Sequence, residues 1–289
     1  MTEKSFVHLH NHSEFSFIDG SSLLDSMASI CNNLGMPAIA LTDHGNMYGA
    51  IDFYNACKTK NIKPIIGCEF YIAPKSRFDK DPSYSYDHLT VIAKNNLGYS
   101  NLIKLVSKGN LEGFYYRPRI DKEILKEHSE GLIVLSGCPS AELFKKIVSG
   151  DEKSIMDTID WYKEVFGDDY YLEIMRHEHV DNQEKVNQWI INNYKQLNVK
   201  IVATNDNHYE TKNDYEKEIL LKNVRSGSSN PRSDILEDNS YYIASPEEMR
   251  KKFKDVPEAC DNTLEIADKC NIEIDFSGTM IPEFKTPEN

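Results

Sequence analysis

The sequence predicts an α/β fold in which a mainly parallel sheet closes into a barrel. The length of 289 residues suits one large α/β domain or barrel. Short apolar runs rich in β-branched residues alternate with helical patterns along almost the whole chain, as in successive βα units. Such units, joined by right-handed connections, curl into a barrel whose functional residues gather at the carboxyl ends of the strands.

Seven apolar runs are predicted to be strands. They cover residues 6–10, 38–41, 63–73, 88–93, 132–136, 170–175 and 200–204. The first predicted helix begins with Ser22 and Asp25, a pair typical of a capping box, and ends at Gly35. The later predicted helices cover residues 47–60, 97–110, 141–148, 154–166, 181–197, 246–253 and 257–270. An irregular stretch is expected at residues 112–119.

The alternating pattern changes after Lys222. Residues 226–231, Ser-Gly-Ser-Ser-Asn-Pro, are typical of a flexible linker. Residues 280–287 form a proline-punctuated stretch that we expect to continue into a longer chain. The sequence therefore predicts a barrel over residues 1–225, and a helical connector with an extended tail over residues 226–289.

The composition favours some functions over others. The chain has 46 acidic and 33 basic side chains and a formal net charge of −13, which opposes the binding of a polyanion by general electrostatics. A nucleic-acid substrate would therefore need metal cations or a partner domain for its attraction. The sequence has no stretch of about 20 apolar residues and no signal-peptide core, so we expect a cytoplasmic protein that does not enter a membrane.

Six cysteines are spread along the sequence without a Cys-x-x-Cys pair. This spacing predicts free thiols in a reducing compartment rather than a disulfide framework. Cys31 and Cys57 lie on apolar helical stripes and are expected in the core. Cys138 differs, because it follows a predicted strand at the position where other candidate metal ligands occur.

The segment His8-Leu9-His10-Asn11-His12 is the strongest functional signal in the chain. In an extended segment alternate side chains share a face, so the three imidazoles point the same way. A cation satisfies such rings together, whereas an apolar core would have to supply a hydrogen-bond partner for each ring. Taken alone, the segment is equally compatible with a polar strand end whose histidines are solvated. We expect His8 to lie one layer deeper and to be a hydrogen-bonded core residue.

Further candidate ligands follow, or lie on, the other predicted strands. They are Asp19, His44, Glu69, His88, Cys138, Asp206 and His208. We expect them at or near the rim formed by the carboxyl ends of the strands, apart from His88, which would start its strand or lie on it. Asp43 precedes His44, and we expect it to orient a ligand imidazole rather than bind an ion itself.

The mixture of imidazole, carboxylate and thiolate indicates a transition metal such as Zn²⁺, because Mg²⁺ and Ca²⁺ favour oxygen ligands alone. Nine donors exceed the needs of one ion and suit a cluster of two or three. Glu69, the only carboxylate at the rim of the middle strand, is the best candidate for a ligand shared between ions. Such clusters hydrolyse phosphate esters by activating water and stabilising the leaving oxygen.

The candidate ligands carry a resemblance to a known family. Their motifs resemble the metal-binding motifs of the PHP (polymerase and histidinol phosphatase) domain: His10-x-His12, Asp19, Thr42-Asp43-His44, Glu69, His88, Cys138 and Asp206-x-His208. Surrounding segments at residues 15–20, 62–67, 112–115 and 203–209 are similar to the PHP domain of bacterial DNA polymerase III alpha subunits of the DnaE type. The resemblance covers nearly the whole chain and implies the PHP fold, a distorted seven-stranded TIM-like (βα) barrel.

The resemblance also implies a trinuclear metal centre. The first ion would be held by His10, His12, Glu69 and Asp206, the second by Glu69, His88 and Cys138, and the third by Asp19, His44 and His208. The cofactors implied are two or three divalent ions, zinc or manganese, with iron as an alternative. Cys138 stands where the family more commonly has histidine, and its thiolate remains a good zinc ligand.

The function implied is that of a metal-dependent phosphoesterase that removes nucleotides from a DNA 3′ end, a 3′–5′ exonuclease for proofreading. Asp206, His208 and His12 are the expected catalytic residues. The expected partners are DNA, the polymerase domains of the same alpha subunit, a proofreading exonuclease subunit and a sliding clamp. Arg117 and Arg119 flank a proline in an aromatic loop, and their guanidinium groups would either clamp a substrate phosphate or form structural salt bridges.

Two other functions stay open at this point. In the first, the barrel is a catalytically silent scaffold that its metal ions stabilise and that supports the polymerase and its exonuclease partner. Metal removal would then lower the melting temperature with no hydrolysis to lose. In the second, the chain is a free-standing phosphatase for a small metabolite such as histidinol phosphate, which it would hydrolyse more efficiently than DNA.

Overall fold

The computed structural model of the chain describes residues 5–17, 19–83, 85–226 and 239–278. Within these ranges the strands are β1 (Ala38–Leu41), β2 (Lys63–Ile72), β3 (Asp87–Ala93), β4 (Phe114–Tyr115), β5 (Arg117–Ile120), β6 (Leu132–Leu135), β7 (Tyr170–Ile174) and β8 (Lys200–Ala203). The α-helices are α1 (Leu24–Asn33), α2 (Ala50–Thr59), α3 (Asn96–Leu111), α4 (Lys122–Glu127), α5 (Glu142–Ser149), α6 (Glu152–Phe166), α7 (Gln183–Leu197), α8 (Tyr215–Ser226), α9 (Pro246–Lys252) and α10 (Pro257–Lys269).

Seven segments form the wall of a barrel. Six of them are strands that pair in the order β1, β2, β3, β6, β7 and β8. The seventh is the segment at residues 6–12, which bridges β1 on one side and the residues after β8 on the other. Backbone hydrogen bonds from Ala40 N to His8 O (2.9 Å) and from His12 N to Asn207 O (2.7 Å) close the barrel. The predicted barrel is confirmed, although its first segment forms isolated bridges instead of a continuous ladder.

One strand of the barrel runs against the others. β1 is parallel to β2, and β6, β7 and β8 are parallel to one another, but β3 is antiparallel to both β2 and β6. The start of β3 therefore lies beside the end of β2, where His88 pairs with Tyr71. His88 lies at the start of its strand, as expected, but it does not lie apart from the rim, because a reversed strand brings its first residues to the rim at which the parallel strands end.

The opposite end of the barrel has an apolar interior that α10 closes. Alternate residues of the wall form one buried cluster: Val7, Leu9, Ala38, Ala40, Ile65, Ile92, Ile133, Leu135, Tyr171 and Val202. Ile266, Ala267 and Cys270, from α10 and its end, belong to the same cluster. Lys63, which begins β2, donates a hydrogen bond to Ala267 O at 2.6 Å. The helix thus packs under the strand starts, so the polar residues of the interior are confined to the rim.

A second, larger core lies between the outer face of the wall and the surrounding helices. The intervening wall residues, such as Ile39, Leu41 and Ile66, belong to it together with residues of the helices. Cys31 and Cys57 are part of this core, as predicted. All six cysteines are buried free thiols.

Some local predictions differ from the structure. The N-cap of α1 is Leu23 and has no side-chain cap, so the capping box predicted from Ser22 and Asp25 is wrong. The Leu23 N–H instead donates to Glu210 Oε1 at 2.8 Å, a tertiary partner that a local pattern cannot reveal. The stretch expected to be irregular contains the β4–β5 hairpin, and the sequence patterns predict neither α4 nor α8.

Parts of the predicted connector lie outside the described residues. These are residues 227–238, which include most of the predicted linker, and residues 279–289, which include the proline-punctuated stretch at 280–287. The division of the chain after residue 225 therefore stays a prediction. Among the residues that the structure describes, no helix combines the length and the apolar character needed to span a membrane.

The closing role of α10 can be tested with Ile266→Ala. Ile266 is fully buried in the interior cluster, and a cavity at such a site lowers the free energy of unfolding by about 2–5 kcal/mol. The matched control is Leu111→Ala, since Leu111 is 85% exposed and its loss should change stability by less than about 0.5 kcal/mol. Urea denaturation measures both variants. Equal stability of the two would contradict the packing described here.

Candidate metal centre

All nine predicted ligands lie together at the rim. They are supplied by the first wall segment (His10, His12), the loop after it (Asp19), the loop after β1 (His44), β2 (Glu69), the start of β3 (His88), the loop after β6 (Cys138) and the residues after β8 (Asp206, His208). His10 and His12 are fully buried and Glu69 is 1% exposed, whereas the Asp19 side chain is 24% exposed. The cluster therefore has a buried base and one accessible side.

The first predicted ligand set converges on two histidine nitrogens. His10 Nε2 lies 3.4 Å from Glu69 Oε1 and 3.3 Å from Asp206 Oδ1. His12 Nε2 lies 3.4 Å from Glu69 Oε2 and 3.2 Å from Asp206 Oδ1. Two imidazoles and two carboxylates thus face one another, with 3.2–3.4 Å between their nitrogen and oxygen atoms.

The second set shares Glu69 with the first. His88 Nδ1 lies 3.1 Å from Glu69 Oε1, and Cys138 Sγ lies 3.3 Å from the same oxygen. Cys138 Sγ and His88 Nδ1 are 3.5 Å apart. A nitrogen, an oxygen and a sulfur donor therefore meet at one point, which is the donor combination that zinc accepts.

The third set lies on the accessible side. His44 Nε2 is 3.2 Å from Asp19 Oδ1, and His208 Nε2 is 3.8 Å from Asp19 Oδ2. The His44 ring presents its other nitrogen, Nδ1, to Glu69 Oε2 at 2.6 Å. The His12 ring stacks on the ring of His44 (centroids 4.1 Å apart) and on that of His208 (4.5 Å). The three sets form one continuous cluster.

The residues present fit a group of cations. Six buried polar atoms of the cluster have no hydrogen-bond partner within the described part of the chain: His10 Nε2, His12 Nε2, Asp19 Oδ1, His44 Nδ1, Glu69 Oε2 and Asp206 Oδ1. Buried polar atoms are normally paired, since an unpaired one costs free energy. These six point at one another, and divalent ions among them would satisfy all six.

The charges of the cluster shift the pKa values of its members. Burial alone would lower the pKa of His10, but the nearby carboxylates, that of Asp206 above all, raise it well above the ordinary value. The pKa of His44 is raised in the same way, chiefly by Asp19. Burial and the neighbouring imidazoles lower the pKa of His12 to about 3, so this ring is neutral and has a free lone pair. Burial and the Glu69 carboxylate raise the pKa of the Cys138 thiol.

Carboxylates of the cluster stay ionised despite their burial. Burial alone would raise the pKa of Glu69, but the surrounding imidazoles, that of His88 first, hold it well below its ordinary value. The pKa of Asp206 is lowered chiefly by His10, and that of Asp19 chiefly by His44, again against the effect of burial. Without a cation, protons on imidazoles thus balance these anions. A bound metal ion would take the place of those protons, so that metal binding would be coupled to proton release.

Glu173 is a functional residue that the sequence analysis missed. It lies on β7, is 4% exposed, and its Oε1 accepts a hydrogen bond from His10 Nδ1 at 2.8 Å. Because Nδ1 carries the proton, Nε2 of His10 is left to face the cluster. Glu173 also accepts from Thr204 Oγ1 (2.6 Å) and Gly137 N (2.9 Å). The available signal was a carboxylate in the otherwise apolar run Tyr170–Ile174.

Two other histidines are oriented in the same way. His12 Nδ1 donates to Ser16 Oγ at 2.9 Å, and Ser16 Oγ donates to Asp43 Oδ1 at 2.8 Å. His208 Nδ1 donates to Asp206 O at 2.7 Å. Asp43 therefore acts on His12 through Ser16, in the orienting role expected of it. In each case the Nε2 atom is the one turned toward the donors.

The backbone is strained at one ligand. Asp206 has φ +48°, in the left-handed region that few residues other than glycine adopt. Gly137, next to Cys138, has φ +93°, and a Cβ there would lie 2.9 Å from His88 O. Such conformations cost free energy and occur preferentially where a site needs them. Here they place Asp206 and Cys138 at the rim.

The structure separates the other predicted residues by role. His8 is fully buried, accepts from Asn207 Nδ2 (2.9 Å) and donates to Ala244 O (2.8 Å), so the predicted core histidine is confirmed. Arg119 is 3% exposed and donates to the carbonyl oxygens of Gly113, Arg77 and Asp79. Its guanidinium group is therefore structural, and the phosphate-clamp interpretation of Arg119 is wrong.

Arg117 is placed differently. Its Cζ lies 5.8 Å from the centre of the Tyr71 ring, and Tyr71 in turn contacts the rings of His44 (5.8 Å) and His88 (5.2 Å). Its guanidinium group forms neither a hydrogen bond nor an ion pair with any residue that the structure describes. The group thus stays available beside the cluster.

The barrel and its rim define a protein with a candidate site for several divalent metal ions. Comparison with known families finds that the sequence pattern of the PHP domain matches residues 8–177, more than half of the chain. This chain belongs to the PHP domain family. Seven of the nine candidate ligands lie within the matched residues, and Asp206 and His208 follow them.

The most similar curated relatives include DNA polymerase III alpha subunits. The chain is 42% identical to that of Borreliella burgdorferi over 98% of its own length and 25% of the relative. It is 39% identical to that of Chlamydia pneumoniae (99% and 26%) and 42% identical to that of Helicobacter pylori (94% and 24%). The chain spans about a quarter of the length of these relatives.

A solved structure from Bifidobacterium adolescentis, assigned as a metal-dependent phosphoesterase, aligns with a TM-score of 0.45 and 13% identity. The alignment covers 85% of this chain and 96% of that one. The family membership stated above rests on the sequence matches and not on this alignment.

The orienting role of Glu173 can be tested with Glu173→Gln. The amide keeps the size of the side chain but can present a donor to His10 Nδ1, and loss of such a carboxylate partner typically lowers metal affinity about 10- to 100-fold. Titration with Zn²⁺ in competition with a chromophoric chelator measures the affinity. Glu164→Gln, at an exposed carboxylate paired with Lys126, is the control and should bind zinc like the wild type. An unchanged affinity in Glu173→Gln would rule out the role.

Proposed function

We propose that this chain is the PHP part of a DNA polymerase III alpha subunit and that its rim cluster is a phosphoesterase site acting on the 3′ end of DNA. The observation that supports the proposal best is the convergence of the nine donors, with six buried atoms that lack partners other than each other. The similarity to polymerase subunits over nearly the whole chain supports the DNA context.

The site would hold two or three divalent ions in the three ligand sets described above, with zinc, manganese or iron as the metal. Three groups of donors fit an ion each by distance: His10, His12 and Glu69; His44, Glu69 and His88; His12, His44 and His208. These groups overlap the predicted ligand sets without reproducing them. Divalent cations, when bound, activate water and stabilise the charge that develops on the leaving oxygen of a phosphodiester.

The residues of the chain supply the rest of the chemistry. Asp206 Oδ1 lies 3.2 Å from His12 Nε2 and 3.7 Å from His208 Nδ1, so it is within reach of both proposed proton-handling imidazoles. Asp206 would accept the proton from the attacking water, and His12 and His208, whose ring nitrogens face this carboxylate, would relay it to the 3′ oxygen that is released when the phosphorus–oxygen bond breaks. Arg117 binds a phosphate of the substrate from the side of Tyr71.

The overall charge makes partners necessary. At a net charge of −13, the chain repels a polyanion at long range, so DNA attraction comes from the cluster cations and from other domains. We propose the polymerase domains of the same alpha subunit as the first of these partners, with a proofreading exonuclease subunit and a sliding clamp in the same cytoplasmic assembly.

A scaffold function is the second candidate. Glu69 is contacted by donors from four other parts of the barrel, so metal ions at this point would hold the wall together even without catalysis. In this case chelation lowers the melting temperature and no hydrolysis is found. The relatives at 39–42% identity are polymerase subunits, which disfavours the third candidate, a small-metabolite phosphatase.

The nuclease proposal is tested with a 5′-labelled single-stranded oligonucleotide and Mn²⁺, Zn²⁺ or Fe²⁺. We expect a ladder of products shortened from the 3′ end. Asp206→Asn should lower the rate about 10²- to 10⁴-fold, because it removes a proton acceptor and a donor of the first set. Asp160→Asn, at an exposed position on α6, controls for the charge change and for copurified nucleases. Equal rates in the wild type and Asp206→Asn with every metal would overturn the proposal.

The role of Arg117 is tested separately with Arg117→Ala. Loss of a charge-assisted phosphate contact of about 1.5–3 kcal/mol should raise KM for the oligonucleotide at least about tenfold. The metal content should not change, because Arg117 contacts the cluster only through Tyr71. Lys153→Ala removes the same charge from an exposed site on α6 and should leave KM unchanged. A similar rise in both variants would assign the effect to net charge alone.

A further inference from the structure

Two exposed aromatic rings lie on the loops that carry the metal ligands. Phe17 is 60% exposed and Tyr48 is 62% exposed, and their ring centroids are 6.2 Å apart. Phe15 supports Phe17 from the core side, with ring centroids 6.3 Å apart. Single exposed apolar residues are common, but a supported pair of rings beside a polar cluster is a local surface with its own chemistry.

The position of the pair is tied to the cluster. Phe17 follows Ser16, whose hydroxyl contacts His12, and lies two residues before Asp19, so its Cα is within about 8 Å of the Cα of this ligand. Asn46 holds the two loops together, because its Nδ2 donates to Phe15 O and to His44 O, both at 3.0 Å. Its Oδ1 accepts from Tyr48 N at 3.1 Å. The rings therefore keep a defined distance from the site.

The chemistry of the pair suits a nucleobase. Bases of single strands stack on aromatic side chains, and this interaction needs no positive charge on the protein. Apart from the cluster cations and Arg117, a chain with a net charge of −13 offers little electrostatic attraction to a polynucleotide strand, so stacking is a suitable further means of binding it. A protein partner is also able to cover aromatic rings, but the placement of the pair on the ligand loops favours a part of the substrate.

We propose that Phe17 and Tyr48 form a stacking platform for a base of the strand whose phosphodiester lies at the metal centre, so that the preferred substrate is a single-stranded polynucleotide end. The inference rests on the proposed function and adds its substrate class. The two rings contribute to the affinity for the strand, and they take no part in metal binding or in the chemical step.

The proposal is tested by binding before it is tested by activity. The full chain, supplied with Mn²⁺, is titrated into a phosphorothioate oligonucleotide that resists hydrolysis and carries 2-aminopurine at its 3′ end. Stacking quenches this fluorophore. We expect quenching in the wild type, and Phe17→Ala and Tyr48→Ala should each weaken Kd about 5- to 100-fold. Phe17→Tyr and Tyr48→Phe keep a ring and should bind like the wild type.

The controls separate stacking from a structural effect. Phe276→Ala removes a ring that is 57% exposed and lies against Tyr54, away from the ligand loops, and it should change nothing. An oligonucleotide whose last nucleotides lack bases should bind the wild type and both alanine variants equally weakly. Metal content should be unchanged in the variants, and so should the rate of hydrolysis of the strand whose last nucleotides lack bases.

Each result decides for or against the platform. The platform would be overturned if both alanine variants showed the Kd and quenching of the wild type, or if the wild type did not bind the oligonucleotide. It would also be overturned if the alanine substitutions weakened binding of the abasic strand as much as binding of the strand with bases. Loss of binding to the polymerase domains with oligonucleotide affinity intact would assign the pair to a protein interface instead. Base-dependent binding without hydrolysis would support the platform and contradict the nuclease activity. Hydrolysis by the wild type, together with unchanged oligonucleotide affinity in both alanine variants, would support the nuclease activity and contradict the platform.

Discussion

The arrangement of the rim depends on the carboxylate of Glu69, around which the other donors are placed. It is 1% exposed, and donors from His10, His12, His44, His88 and Cys138 approach its two oxygens within 3.4 Å. A buried carboxylate is costly unless opposite charge compensates it. Protons on the imidazoles can do so in part, but cations satisfy the carboxylate, the rings and the thiol at once. The arrangement of the rim follows from this requirement.

The barrel meets the requirement by separating its interior into two halves. The lower half is apolar and is closed by α10, while the upper half collects the polar donors. The reversal of β3 adds His88 to the upper half, because the first residues of this strand lie beside the end of β2. A wall made only of parallel strands would place the start of β3 at the apolar end. The reversal of β3 thus both distorts the barrel and supplies a donor of the candidate metal centre.

Orientation of the ligands requires a further layer of contacts. Glu173, the Ser16–Asp43 pair and the Asp206 carbonyl each engage the Nδ1 atom of one histidine, which leaves Nε2 for the centre. The loops after the first wall segment and after β1 also carry the Phe17–Tyr48 pair, and Arg117 of β5 lies beside Tyr71. The candidate metal centre with its oriented donors, the guanidinium group of Arg117 and the pair of exposed rings would together supply the contacts that the proposed strand end needs. This combination connects the geometry of the site to the proposed substrate.

The sequence by itself determined the segments of the barrel wall, most helices and all nine candidate ligands, because these depend on local periodicity and on donor types at recurrent positions. The bounds of β1 and β2, for example, follow directly from short apolar runs in the sequence. Only the tertiary structure decided the direction of β3, the capping of α1 by Glu210, and the roles of Glu173 and Arg119. These features depend on contacts between residues far apart in the chain, and neither spacing nor composition records which distant groups will meet.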